Sequence, residues 1–261
     1  MERVVIIGSG NLAEALARAV AESNLQLVQI YARNAERARA VATLAATRWT
    51  TQPAELAELA DADLYLVAVS DRAVAEVAAA LPLPAHACVA HTAGSVPLDV
   101  LPGRCAHRAV FYPMQTFTKG RRVDFAQIPI FLECDDEAFY PELEAFARQL
   151  SQTVIRADSA RRAKIHLAAV FACNFANHMY ALGEQIARSA GLDFGVLKPL
   201  VRETAEKALD AASPADVQTG PAVRHDLATQ ERHLRLLGDD MQLKEIYTTI
   251  SQHIWETSRK R

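Results

Sequence analysis

Residues 4–16 read VVIIGSGNLAEAL, and the change of period inside this stretch decides the fold. Four consecutive β-branched residues (Val4, Val5, Ile6, Ile7) stop at Gly-Ser-Gly, and Leu12, Leu16, Ala19 and Val20 then recur at helical spacing. An unbroken apolar run suits a strand buried on both faces of a parallel sheet, and the following period suits an amphipathic helix. Gly8-x-Gly10-x-x-Ala13 therefore sits between a strand and a helix, the context in which this spacing is a dinucleotide-binding fingerprint. Gly8 permits the tight turn, and Gly10 removes a side chain so that backbone can approach a pyrophosphate. Ala13 stays small where helix meets sheet, and the helix N-terminus offers amides and dipole to the phosphates. Gly8, Ser9, Gly10, Asn11, Leu12 and Ala13 are the first candidate cofactor-binding residues. A tight turn holding no ligand is the alternative.

Outward from this turn, strands and helices alternate. Apolar runs at 25–31, 64–69, 87–91, 109–112, 128–133 and 153–156 read as strands, with helices at 11–22, from an Asn34 N-cap to about 46, and near 137–150. The alternation predicts an α/β fold, a Rossmann-like doubly wound parallel sheet. From residue 159 onward the pattern is helical throughout, with segments at 160–190, 193–211, 224–237 and 239–257 broken by Gly191, Ser213-Pro214 and Gly238. The reading is two domains, 1–157 binding the nucleotide and 158–261 an all-α domain for substrate and dimerisation.

Composition excludes several classes. With 261 residues, 51% hydrophobic and a net charge of −3, the chain has a core to bury and no basic surface for a phosphate backbone. The C-terminal Arg259-Lys260-Arg261 reads as a frayed end rather than a nucleic-acid site. No signal segment precedes the first strand, and the apolar stretch 167–182 is interrupted by Asn174, Asn177 and His178, so no membrane span is expected. Cys88, Cys105, Cys134 and Cys173 are far apart without a Cys-x-x-Cys, which favours reduced thiols in a cytoplasmic protein and no metal.

The cofactor's identity turns on the end of the second strand. An NAD site carries an acid there for the ribose hydroxyls, whereas this chain has Tyr31-Ala32-Arg33-Asn34. Arg33 can pair with a 2′-phosphate and lie over adenine, and Asn34 can donate to the same phosphate, so NADP is expected over NAD. The alternative is a solvated loop arginine. Val69, Ser70 and Asp71 end the 64–69 strand where a small loop passes the nicotinamide half. His91, Thr92, Gly94 and Ser95 end the next strand. Thr92 and Gly94 are assigned to the cofactor and Ser95 to substrate, and His91 fits a catalytic group and a buried core histidine equally well.

Three stretches, HTAGS at 91–95, FYPMQTFTK at 111–119 and TGPAVRHD at 219–226, resemble one family: bacterial Rossmann-like proteins that carry domain of unknown function 2520 and are described as NADP oxidoreductases. The N-terminal pattern is also similar to pyrroline-5-carboxylate reductases and deazaflavin-dependent NADP oxidoreductases. The resemblance spans nearly the whole chain, and implies an NADP cofactor and a helical domain that forms a homodimer. Related β-hydroxyacid dehydrogenases place a catalytic lysine near the start of the long helix with asparagine four residues on. Here Lys164 is followed by Ala168, a departure that leaves a lysine mechanism without its usual asparagine.

A hydride-transfer site needs a proton donor or electrophile and a pocket between the domains. On the long helix His166, Val170, Cys173, Asn174 and Asn177 fall at spacings 0, 4, 7, 8 and 11, which is one face. His166 and Asn174, with Lys119 and His91, are the candidate catalytic residues; an interhelical hydrogen-bond network is the alternative for the helix. Gln115 and Thr116, and Thr219, Arg224 and Asp226, are candidate substrate contacts, against loop packing for the first pair and helix capping for Asp226. The expected function is NADP(H)-dependent hydride transfer to or from a small C=O or C=N metabolite. A nucleotide-binding sensor or scaffold without turnover is the other reading.

Overall fold

The computed structural model describes residues 1–59 and 62–260, so Arg261 of the basic tail lies outside the described residues. The opening apolar run is strand β1 (Arg3–Ile7), and α1 (Asn11–Ala21) starts directly after the Gly-Ser-Gly turn. The chain continues through β2 (Gln26–Tyr31), α2 (Ala35–Leu44), β3 (Arg48–Thr50), α3 (Ala54–Leu59), β4 (Leu64–Val67), α4 (Val74–Ala80) and β5 (Cys88–His91). Then come β6 (His107–Pro113), β7 (Ile130–Cys134), α5 (Tyr140–Arg148) and β8 (Val154–Arg156).

All eight strands form one sheet in the order β3-β2-β1-β4-β5-β6-β7-β8. Its pairs are parallel except β6–β7, which is antiparallel, so the doubly wound α/β expectation holds with one reversal near the sheet's edge. The sequence offers no sign of β3, whose Arg48 and Trp49 are exposed and interrupt any apolar run. On one face, Val4, Ile6, Leu64 and Leu66 pack against Leu16 of α1, Val41 of α2 and Phe146 of α5. On the other, Val5, Ile7, Tyr65 and Val67 pack against Leu56 of α3 and Val74 and Ala78 of α4. Full burial of each such side chain is worth about 1.5–3 kcal/mol, which explains why the central strands read as unbroken apolar runs.

Register aligns the carboxyl ends of the central strands. Ile7 lies beside Val67, Val67 beside His91, and His91 beside Val110. The turn at 8–10, the loop at 68–71 and the loop at 92–95 therefore leave the sheet at one edge, the edge where ligands bind in such sheets. Strand β6 continues past that line to Pro113, carrying Tyr112 beyond the end of β5 while it stays paired with Phe131 of β7.

Two compact units divide the chain, Met1–Ala176 and Asn177–Arg261. The division falls later than the change of character near residue 157, because α6 (Ser159–Ala169) is anchored in the first unit. Asp158 caps this helix, accepting from Arg161 N at 2.7 Å. Arg162, 1% exposed, bonds the Glu133 carboxylate on β7 and the Val96 carbonyl. The long regular helix expected over 160–190 is interrupted: 170–175 forms a π-helical turn before α7 (Ala176–Ser189). The second unit also holds α8 (Lys198–Asp210), α9 (Leu227–Leu236) and α10 (Met241–Ser258). Among the described residues no helix is long and apolar enough to cross a membrane.

Candidate active site

A cavity of about 620 Å³ opens on the glycine turn. It is lined by Gly8, Ser9, Gly10, Asn11 and Leu12, by Tyr31, Arg33 and Asn34 at the end of β2, and by Val69 and Ser70 after β4. Val77 and Leu81 supply an apolar wall. Gly8 has φ +136°, and a Cβ there would lie 2.1 Å from the Ala68 carbonyl oxygen, so the turn admits glycine alone. Around Gly10 a Cβ would meet nothing within 4 Å, which is the open approach that a pyrophosphate needs. Gly10 is also the N-cap of α1, and no side chain caps the first-turn amides. These donors face the cavity without an acceptor from a capping side chain, and a dinucleotide's phosphates fit that role.

At the rim, Arg33 is exposed and Asn34 Oδ1 accepts from Arg37 N at 2.9 Å, capping α2. The Arg37 guanidinium, which the sequence reading passes over, donates to the Ser9 carbonyl from Nε (3.2 Å) and Nη2 (2.9 Å). It ties the start of α2 to the glycine turn. Its one signal in the sequence is its place a helical turn after Arg33.

A second cluster forms where the loops after β4 and β5 meet the end of β6. Tyr112 Oη and His166 Nδ1 share a hydrogen bond of 3.0 Å, with their rings edge to face at 5.8 Å. Gly94 packs directly on the pair: a Cβ there would lie 2.6 Å from His166 Nδ1 and 2.7 Å from Tyr112 Cζ. Ser95 Oγ donates to Asp71 Oδ2 at 2.6 Å. Burial raises the Tyr112 pKa above the ordinary tyrosine value, Asp71's charge adds to this and Arg162 opposes it.

The remaining sequence candidates divide. His91 is completely buried; its Nε2 lies 3.3 Å from the Pro97 carbonyl and its Nδ1 accepts from Ala93 N at 3.2 Å. Burial, then the Arg162 guanidinium, push its pKa down from 6.5 to about 4, so the ring is neutral and braces its own loop, with neither nitrogen left for a substrate. Thr92 is buried beneath the same loop. Gln115, Thr116 and Lys119 are exposed on a segment docked to α1, where Asn11 Nδ2 donates to the Phe117 carbonyl at 3.0 Å and Gly120 N to Glu14 Oε1 at 3.3 Å. Lys119 is thus carried on the α1 side rather than on the loops that meet Tyr112 and His166.

The long helix is not regular. A π-helical turn at 170–175 inserts an extra residue and shifts the residues beyond it by about 100° from a regular count, so a stripe counted at regular spacing does not run unbroken past residue 175. Asn174 and Asn177 are exposed rather than buried, and form no internal polar network among the core residues.

Thr219, Arg224 and Asp226 lie in the second unit. Asp226 Oδ1 accepts from Thr229 N at 3.0 Å and caps α9, and hydrogen bonds from Thr229 lower its pKa. His225 adopts a left-handed φ of 54° and stacks on Trp255 with centroids 4.2 Å apart, while Arg224 is exposed.

Residues 3–94 match the family described as NADP oxidoreductase, coenzyme F420-dependent, and residues 128–254 match a domain of unknown function, DUF2520. A solved structure of a candidate NADP oxidoreductase from Bacteroides fragilis is 43% identical, covers 98% of both chains and has a TM-score of 0.88. A protein from Thermotoga maritima is 23% identical with 98% of both chains covered and a TM-score of 0.74. A 1-pyrroline-5-carboxylate reductase from Streptococcus pyogenes is 14% identical over 99% of this chain and 98% of its own, with a TM-score of 0.63, a likeness of fold alone. No protein of curated function matches the sequence.

Proposed function

The chain belongs to the family that joins a coenzyme F420-dependent NADP oxidoreductase segment to the domain DUF2520, and from that premise we propose that it is an NADP(H)-dependent oxidoreductase acting on a small C=O or C=N metabolite. One observation carries the reading: the side-chain-uncapped N-terminus of α1 and the exposed Arg33 line the same cavity, with no acid at the end of β2. Amides of the glycine turn hold the pyrophosphate. Arg33 takes the 2′-phosphate, and Arg37, fastened to the Ser9 carbonyl, keeps turn and rim in fixed relation. Bound in this way, the reduced dinucleotide supplies a hydride to an electrophilic carbon. Gly94, Ser95, Asp71, Tyr112 and His166 supply the polar surface for the reacting group.

A second copy of the chain is part of the same proposal. Between Asn177 and Lys260 only Ala222 and Ser251 are buried, while Leu200 (63%), Leu209 (83%), Leu236 (83%) and Met241 (70%) are exposed. Helices with so little interior of their own need an apolar partner, and an isologous dimer supplies one. Sedimentation equilibrium is expected to give twice 28.5 kDa; a monomer at micromolar concentration would contradict this.

Cofactor choice is tested by titrating NADPH and NADH against the wild type and Arg33→Ala. A charge-assisted contact is worth about 1.5–3 kcal/mol, so Arg33→Ala should weaken NADPH roughly ten- to hundredfold and leave NADH unchanged. Equal wild-type affinity for the two would refute the NADP assignment. Tight binding with no turnover on a panel of carbonyls and imines would move the reading to a nucleotide-binding sensor.

A further inference from the structure

The pair at Gly94 has a feature that packing does not require. Tyr112 is 8% exposed, and its ring lies in an apolar cluster with Val110 and Phe131, where phenylalanine would serve as well. Its hydroxyl instead meets His166 Nδ1 at 3.0 Å, across 54 residues of sequence. The backbone passing over both rings is glycine, and any larger residue would collide with the imidazole and the phenol together. Strand β6 overruns the register line so that this hydroxyl emerges at the carboxyl edge of the sheet.

Resting on the oxidoreductase reading, we propose that Tyr112 donates the proton to the substrate's oxygen or nitrogen, and that His166 positions Tyr112 and reprotonates it. Reduction of C=O or C=N by the dinucleotide adds hydrogen and an electron pair at carbon, and the π pair moves onto the heteroatom. That atom takes the Tyr112 hydroxyl proton as the Oη–H bond breaks. Tyr112 Oη takes the proton on His166 Nδ1, and Nε2 takes one from solvent; loss of the Nε2 proton and uptake of one at Nδ1 by exchange with solvent then restore the starting tautomer, and the sum is one proton consumed. In the oxidative direction the same transfers run backwards.

The surrounding charges suit a donor. Asp71, bonded to Ser95 on the neighbouring loop, disfavours a phenolate, as does burial; the Arg162 guanidinium pulls the other way but is paired to Glu133. The phenol therefore stays protonated through the physiological range and gives its proton only to a strong base, which a developing alkoxide or amide anion is. Lys164, on the same helix as His166, is exposed.

Nitrogen NMR of the NADPH-loaded protein tests the pair without turnover. The proposal requires His166 to carry its proton on Nδ1, donating to Tyr112 Oη; a proton on Nε2, with Nδ1 accepting from the phenol, overturns it. Tyr112→Phe should perturb the His166 ring signals, keep NADPH affinity within about twofold, and cut single-turnover reduction of 1-pyrroline or an aldehyde probe by about 10²-fold or more. An unchanged rate in Tyr112→Phe overturns the proposal. His166→Gln should keep NADPH affinity within about twofold and lower the single-turnover rate; a rate equal to the wild type's would remove His166 from the proton path. A wild type that binds NADPH and reduces none of the probes overturns the functional reading and this proposal together, whereas the wrong tautomer overturns this proposal alone.

Discussion

Acid should destabilise the first unit through one buried imidazole. His91 is 0% exposed, and its lone pair at Nδ1 is occupied by Ala93 N–H at 3.2 Å. Protonation replaces that acceptor with a second N–H facing the first and places a cation near Arg162 in an apolar setting. The folded pKa of about 4 lies below the ordinary 6.5, so the unfolded chain binds the proton first. Stability from neutral His91 is fully present above pH 6.5 and is lost as pH falls towards 4. A gap of about 2.5 pH units at about 1.36 kcal/mol each makes the full loss about 3 kcal/mol, most of it gone by about pH 4.5. The assay is urea unfolding near pH 7 and near pH 4.5, comparing the wild type with His91→Gln in a Trp255→Phe background. Of the chain's two tryptophans only Trp49, in the first unit, then reports. Glutamine does not titrate, and carboxylates common to both proteins cancel in the difference. The wild type's advantage should shrink by about 2–3 kcal/mol between the two conditions. An advantage that is equal at both would show that His91 does not titrate against folding, and would refute the brace.

Other outcomes rest on single contacts. Gly8→Ala drives a Cβ to 2.1 Å from the Ala68 carbonyl oxygen at φ +136°, and should cost about 3 kcal/mol or more by thermal melts, with loss of NADPH binding. Arg162→Met leaves the Glu133 carboxylate without its buried partner and should cost about 3–5 kcal/mol, most of it recovered in Arg162→Met/Glu133→Leu, as urea midpoints would report. Asn34→Ala removes the cap on Arg37 N and should lower stability by about 1 kcal/mol while loosening Arg37 from Ser9, read as weaker NADPH binding by isothermal titration.

The features legible in the sequence are those the chain settles over short distances. The Asn34 cap and the Asp226 cap, the second read only as the alternative to a substrate contact, are each fixed within three residues, and the glycine turn is signalled by the six-residue spacing from Gly8 to Ala13. Arg162 draws no notice in the sequence because its partner Glu133 lies 29 residues away on another strand. The π-helical turn at 170–175 has no residue signature, and a regular count runs straight through it. Tyr112 stands in plain view inside FYPMQTFTK and is not singled out as a candidate, since nothing local distinguishes a tyrosine that fills a core from one that aims its hydroxyl at an imidazole. The distinction is made by register. Phe111 points into the core against Phe146, at 5.9 Å, and the next residue, Tyr112, points to the opposite face beneath Gly94. A slip of β6 by one residue would exchange them, sending the hydroxyl into the core and a bare phenyl ring to His166. The pairing of His91 with Val110 on one side and of Leu132 with Phe111 on the other holds that register, so the place of the Tyr112 hydroxyl at the sheet's edge depends on pairings one and two residues inside it.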